Sequence, residues 1–143
     1  GAQVRDVLEH AARYYDGLDC PPAGGCTVLT DPAIPHYNVD TMAGLSYRID
    51  PTAPEGARVR DLRFAGRPVR PEASFTVAVN SYRAAGGGMF PHLAEAEVVW
   101  RSSAEMSELI GDYLERHRPW QPEADGNWVL GRDVAAEAPL AAP

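Results

Sequence analysis

The sequence predicts an α+β fold, a mixed or antiparallel sheet with flanking helices. Three observations carry that reading. Apolar residues recur at helical spacing near both ends of the chain, strict two-residue alternation fills the middle, and Pro/Gly clusters separate the segments. The 143 residues make one ordinary domain, and 45% apolar content suffices for a single core.

AQVRDVLEHAARYYDG reads as an amphipathic helix. Val4, Leu8, Ala11, Ala12 and Tyr15 form its apolar stripe, Arg5, Glu9 and Arg13 lie elsewhere on the wheel, and Gly17 is the expected stop. A long Pro/Gly-rich loop follows to Pro35, with a short strand at CTVL. LSYRI, residues 45–49, alternates as a half-buried strand. RVRDLRF alternates through Val59, Leu62 and Phe64 with a one-residue slip that suggests a bulge. Ala65-Gly66 is a turn, RPV a brief continuation, and Pro71-Glu72 another turn. SFTVAVN, residues 74–80, is the most apolar alternating run and reads as a central strand. EVVW, residues 97–100, reads as a short strand. Ser102 and Glu105 have the spacing of a capping box for a helix that runs to about His117, through Met106, Leu109, Ile110, Tyr113 and Leu114. Pro119 ends it. The remainder reads as mostly irregular, and residues 131–143 as a flexible Ala/Pro-rich tail.

A formal net charge of −7 excludes nonspecific binding of a nucleic-acid polymer, which needs a basic face. It leaves room for a small nucleotide, which needs only a few local donors. All 13 basic residues are arginine, so P-loop and Schiff-base lysine chemistry are excluded. No apolar run approaches the ~20 residues of a membrane span, and any leader is expected outside this sequence. Cys20 and Cys26 close a short Pro/Gly loop, either as a disulfide in an oxidising compartment or as two free thiols. His10, His36, His92 and His117 have no metal-ligand spacing, and no nucleophile motif or paired carboxylate is visible. No catalytic residue and no metal site is therefore assigned.

The chemistry-bearing stretch is NSYRAAGGGMF, residues 80–90. A glycine triplet is entropically costly and belongs where backbone turns sharply or is closely approached. Without a ligand it is simply a tight turn, with Tyr82 a sheet residue and Arg83 a surface charge. Together they suggest more. An aromatic at the end of a strand can stack on a planar base, beside glycines that clear space for a sugar.

YNVDTMAGLSYRIDPTAPEGARVRDLRFAGRPVRPEASFTVAVNSYRAAGGGMF resembles the C-terminal domain of the 5′-nucleotidase family. The resemblance lies in the order of its motifs: an aspartate before GLSYRID, then RVRDLRFAGRPV, then FTVAVNSYRAAGGG. The Tyr82-Arg83 pair and the later NW look most like the branch that hydrolyses 2′,3′-cyclic nucleotides and 3′-nucleotides. The match covers residues 1–130.

The resemblance implies that a separate N-terminal metallophosphatase domain carries two divalent metals and the hydrolysis. This domain would bind the nucleoside between two aromatic rings. By position Tyr82 is one of them, with Asn80, Arg83, Gly86, Gly87 and Gly88 around the same site. Where the 5′-nucleotidase and UDP-sugar hydrolase branch has a ribose-binding aspartate, this chain has Gly88, which suits a sugar whose 2′ and 3′ oxygens carry phosphate. The second aromatic would precede Gly1, so the chain is expected to be a fragment, inactive alone and a weak binder. Its unpaired sheet edge invites dimerisation. A 5′-nucleotidase or UDP-sugar hydrolase fragment is the alternative within the family, and a noncatalytic binding or assembly module the alternative outside it. The family resemblance implies export to the periplasm or cell surface.

Overall fold

The computed structural model describes residues 1–22 and 24–131. Helix α1 (Ala2–Ala12) leads into a hairpin of β1 (Tyr15–Asp19) and β2 (Thr27–Thr30). A second sheet contains β3 (Leu45–Ile49), β4 (Val59–Phe64), β5 (Arg67–Pro68) and β6 (Trp128–Leu130). Its strand order is β5-β4-β3-β6, antiparallel except for the parallel β3–β6 pair. Two helices, α2 (Ser81–Ala84) and α3 (Met106–Arg116), lie between β5 and β6 in the chain. The result is the mixed sheet with flanking helices that the sequence predicts.

The core forms where α1 meets the inner face of the second sheet. Val4, Leu8 and Ala12 pack with Leu45, Tyr47, Ile49, Val59, Leu62 and Leu130. Each large side chain buried here contributes about 1.5–3 kcal/mol. The slip in RVRDLRF is a bulge. Ser46 opposes Arg63 and Arg48 opposes Arg60, so Asp61 and Leu62 together face Tyr47, and Asp61 takes φ 52°. This extra residue keeps Val59 and Leu62 both on the core side. At the turn, Ala65 and Gly66 both have positive φ, as a two-residue hairpin requires.

Polar groups fix the helix on the sheet. Glu9 is buried, and its carboxylate accepts the Arg58 and Val59 amides at 2.9 and 2.7 Å. Arg58, also buried, donates to the Ala12 and Arg13 carbonyls at 3.1 and 3.3 Å. It thus satisfies the open C-terminal end of α1. Glu9 lies off the apolar stripe of the wheel, yet it serves the core as a staple for two otherwise unpaired amides.

Several sequence expectations are corrected. Gly17 does not stop the helix, because the Arg58 cap ends it earlier and Gly17 sits inside β1 with φ 127°. The strand expected at CTVL is β2, but it pairs with β1, so much of the expected long loop is a hairpin with a Cys20–Cys26 disulfide near its tip. SFTVAVN forms no strand: it pairs with no neighbour among the described residues, and Val77 and Val79 stay exposed. EVVW likewise pairs with nothing described, leaving Val98, Val99 and Trp100 exposed. The capping box is replaced by a local turn in which Ser102 Oγ accepts the Ala104 amide at 3.1 Å. Glu105 takes the N-cap position without a side-chain bond. Conversely, WVL, read as irregular, is β6, because Trp128 and Leu130 register with Tyr47 and Ile49. Of the expected tail 131–143, all but Gly131 lies outside the described residues.

Candidate functional site, a tyrosine on a glycine turn

Asn80 opens the site as the N-cap of α2. Its Oδ1 accepts the Arg83 amide at 2.8 Å, which starts a single helical turn where the glycine loop was expected to begin. Tyr82 and Arg83 then diverge. Tyr82 is 53% exposed, whereas Arg83 is 5% exposed. The turn closes at Gly86, in the left-handed region at φ 88°, and a short 3-10 turn over Gly87–Met89 carries Gly88 at φ 74°.

Each glycine answers a different demand. At Gly86 the demand is conformational. At Gly87 it is space: an added Cβ would stand 2.5 Å from Tyr82 Cζ, so the ring lies against bare backbone. At Gly88 both apply, because a Cβ there would meet Arg83 Nη1 and Asn38 Oδ1. The first visitors to the triplet are therefore the chain's own Tyr82 and Arg83. This replaces the reading of Arg83 alone as a surface charge.

Arg83 anchors the turn. Its Nε and Nη2 donate to the two Asp40 carboxylate oxygens, each at 2.7 Å. Nη2 also donates to the Tyr37 carbonyl at 2.9 Å, and Nη1 to Asn38 Oδ1 and the Gly87 carbonyl, each at 3.1 Å. The guanidinium lies 4.3 Å from the Phe90 ring centroid and 5.2 Å from that of Tyr82. The bond to Asp40 raises the Arg83 pKa above its ordinary value, against the opposing effect of burial. Phe90 is buried against Val7 and Ala11, on a face of α1 that does not meet the sheet. His10 follows on that helix, its Nε2 2.9 Å from the Gly88 carbonyl and its ring 4.6 Å from that of Phe90. Beside them opens a cleft of about 130 Å³, bounded by His10, Arg13, Ile34, Asn38 and Met89.

Asn80, Tyr82, Arg83, Gly86, Gly87 and Gly88 thus meet in one turn, whereas Cys20 and Cys26 belong to the hairpin. Asp40, Asn38, Phe90 and His10 were not singled out by sequence. Asp40 had one signal, its place in the motif before GLSYRID. Among the described residues no group of three His, Cys, Asp or Glu is clustered to hold a metal ion. No described helix is long and apolar enough to cross a membrane.

A sheet stapled to one helix, with a glycine turn beneath a half-exposed tyrosine, defines a known class. The family described as "5'-nucleotidase, C-terminal domain" matches residues 1–95, and the chain belongs to it. Among curated proteins it is 33% identical to the trifunctional nucleotide phosphoesterase protein YfkN of Bacillus subtilis, over 99% of this chain and 11% of that protein. It is 30% identical to a 2′,3′-cyclic-nucleotide 2′-phosphodiesterase/3′-nucleotidase of Haemophilus influenzae, over 93% of this chain and 23% of that protein. A crystal structure from Staphylococcus aureus described as a 5′-nucleotidase superposes with TM-score 0.75 at 27% identity, covering 92% of this chain and 26% of that one. The chain thus spans only 11% and 23% of the length of these two curated relatives.

Proposed function

We propose that this chain is the nucleoside-binding part of a metal-dependent 2′,3′-cyclic-nucleotide 2′-phosphodiesterase/3′-nucleotidase. One observation carries the reading: Tyr82 offers an exposed ring on a turn held rigid by buried Arg83. Base stacking on such a ring is sequence-tolerant and contributes about 1–3 kcal/mol. A Cβ at Gly88 would crowd Arg83 Nη1 and Asn38 Oδ1, and no carboxylate stands at that position to face the sugar. A carboxylate would repel a 2′- or 3′-phosphate at short range. This favours the cyclic-nucleotide branch over a 5′-nucleotidase or UDP-sugar hydrolase. Hydrolysis belongs to a metallophosphatase domain of the parent, with its divalent metals there. Residues 1–130 act as one binding domain that presents the nucleoside to it. The Cys20–Cys26 disulfide suits a periplasmic or cell-surface parent.

The test is a titration with 3′-AMP followed by amide NMR shifts, beside Tyr82→Ala. We expect saturation in the millimolar range that disappears in the variant, and no turnover of 2′,3′-cyclic AMP with Mn²⁺ or Zn²⁺. Equal binding by both proteins would reject Tyr82 as the platform. A second reading, a noncatalytic assembly module, is favoured by the exposed apolar face of α3. Concentration-dependent dimerisation without nucleotide binding would support it.

A further inference from the structure

We infer that Asp40 is a positioning residue for the nucleoside platform: acting through Arg83, it sets where the Tyr82 ring and the Gly86–Gly88 backbone stand. The inference rests on the reading of Tyr82 as a stacking surface. A guanidinium carries five N–H donors in one plane. In Arg83 all five are engaged inside the protein, by Asp40 twice, Tyr37, Asn38 and Gly87. No donor is left for a ligand's phosphate, so the residue nearest the platform with a positive charge holds the platform instead. Three separate pieces of chain converge on it. These are the 37–40 loop, the glycine turn, and Phe90 seated on α1.

Of these partners only Asp40 supplies a negative charge. Its two oxygens match the fork of the guanidinium, which fixes the plane as well as the position. Without that charge Arg83 is a buried cation with neutral acceptors only, and it is driven toward water. The Gly87 carbonyl then loses its donor, and Tyr82 loses the cation at its side. Lysine cannot substitute, having three donors and no plane. Asp40 itself touches neither Tyr82 nor the glycines by any hydrogen bond described, so its influence on them passes through Arg83.

The experiment uses the 143-residue chain and NMR. Gly87 lies against the Tyr82 ring, so its Cα protons carry a ring-current displacement that Tyr82→Ala abolishes. In Asp40→Asn we expect the Gly87 signals to move toward that value while β3 and β4 signals stay in place. We expect 3′-AMP affinity to fall about tenfold, as for loss of a charged hydrogen-bond partner. Asp40→Glu should retain part of the affinity that Asp40→Asn loses. If Asp40→Asn does not fold, Asp40→Glu, which keeps the charge but displaces the carboxylate from the Arg83 fork, is read the same way. Unmoved Gly87 signals in Asp40→Asn, or in its substitute, overturn the inference. Displaced Gly87 signals in a chain that never binds 3′-AMP uphold the Asp40–Arg83 link and reject the nucleoside reading alone.

Discussion

Helices α1 and α3 are both 11 residues long and both amphipathic, yet α1 buries six residues and α3 buries none. The same contrast separates β3, whose Leu45, Tyr47 and Ile49 are buried, from SFTVAVN, whose Val77 and Val79 are exposed. Periodicity specifies which side of a segment is apolar. It does not specify what that side meets. α1 finds the sheet on one face and Phe90 on the other, held by Glu9 and Arg58. α3 carries Met106, Leu109, Ile110 and Tyr113 toward solvent, a larger apolar exposure than a lone surface side chain and one that invites a partner.

The comparison can be broken most directly at Leu8, which is 1% exposed. Leu8→Ala should cost about 2–5 kcal/mol in urea unfolding. A loss under about 1 kcal/mol would show that α1 is not the organising helix. Alkaline pH sharpens the contrast by a smaller amount. Burial raises the pKa values of Tyr15 and Tyr47 above 10.0, with the Met42 amide on the Tyr47 hydroxyl partly opposing it. The folded state thus holds neutral phenols, while unfolded tyrosines ionise near their ordinary value. The stability these two groups provide is fully present below that value and is lost as pH climbs toward their folded values. Urea midpoints measured from pH 8 to 11 should be flat at first and then decline. Tyr47→Phe should soften the decline. The smallest effect is expected at Ile110: Ile110→Ala should change stability by less than about 0.5 kcal/mol. If it costs as much as Leu8→Ala, α3 is packed in solution, and sedimentation at rising concentration will show whether a second copy covers it.

The fold was legible wherever a segment's pattern and its neighbours agree. LSYRI is β3 at its expected bounds, and the slip in RVRDLRF is a real bulge. Misreadings arose where a partner decides. SFTVAVN has strand alternation but no strand beside it, and WVL is too short to announce itself until it lies along β3. In the site, the residues of NSYRAAGGGMF do come together. What the sequence does not show is that Arg83 points inward to Asp40, 43 positions away. Charge and pattern make an arginine beside an exposed tyrosine look solvated. A long-range carboxylate reverses that.

Strand β6 also imposes an order of events on synthesis. Asn127 donates to the Leu45 carbonyl from 82 positions away, and Trp128–Leu130 then line β3. A ribosome releases α1, β3 and β4 long before it reaches that strand. The nascent protein must therefore wait with one edge of β3 unpaired while the whole excursion bearing Tyr82 is translated. Contacts of such separation slow folding, and the vacant edge is open to any other extended peptide in the meantime.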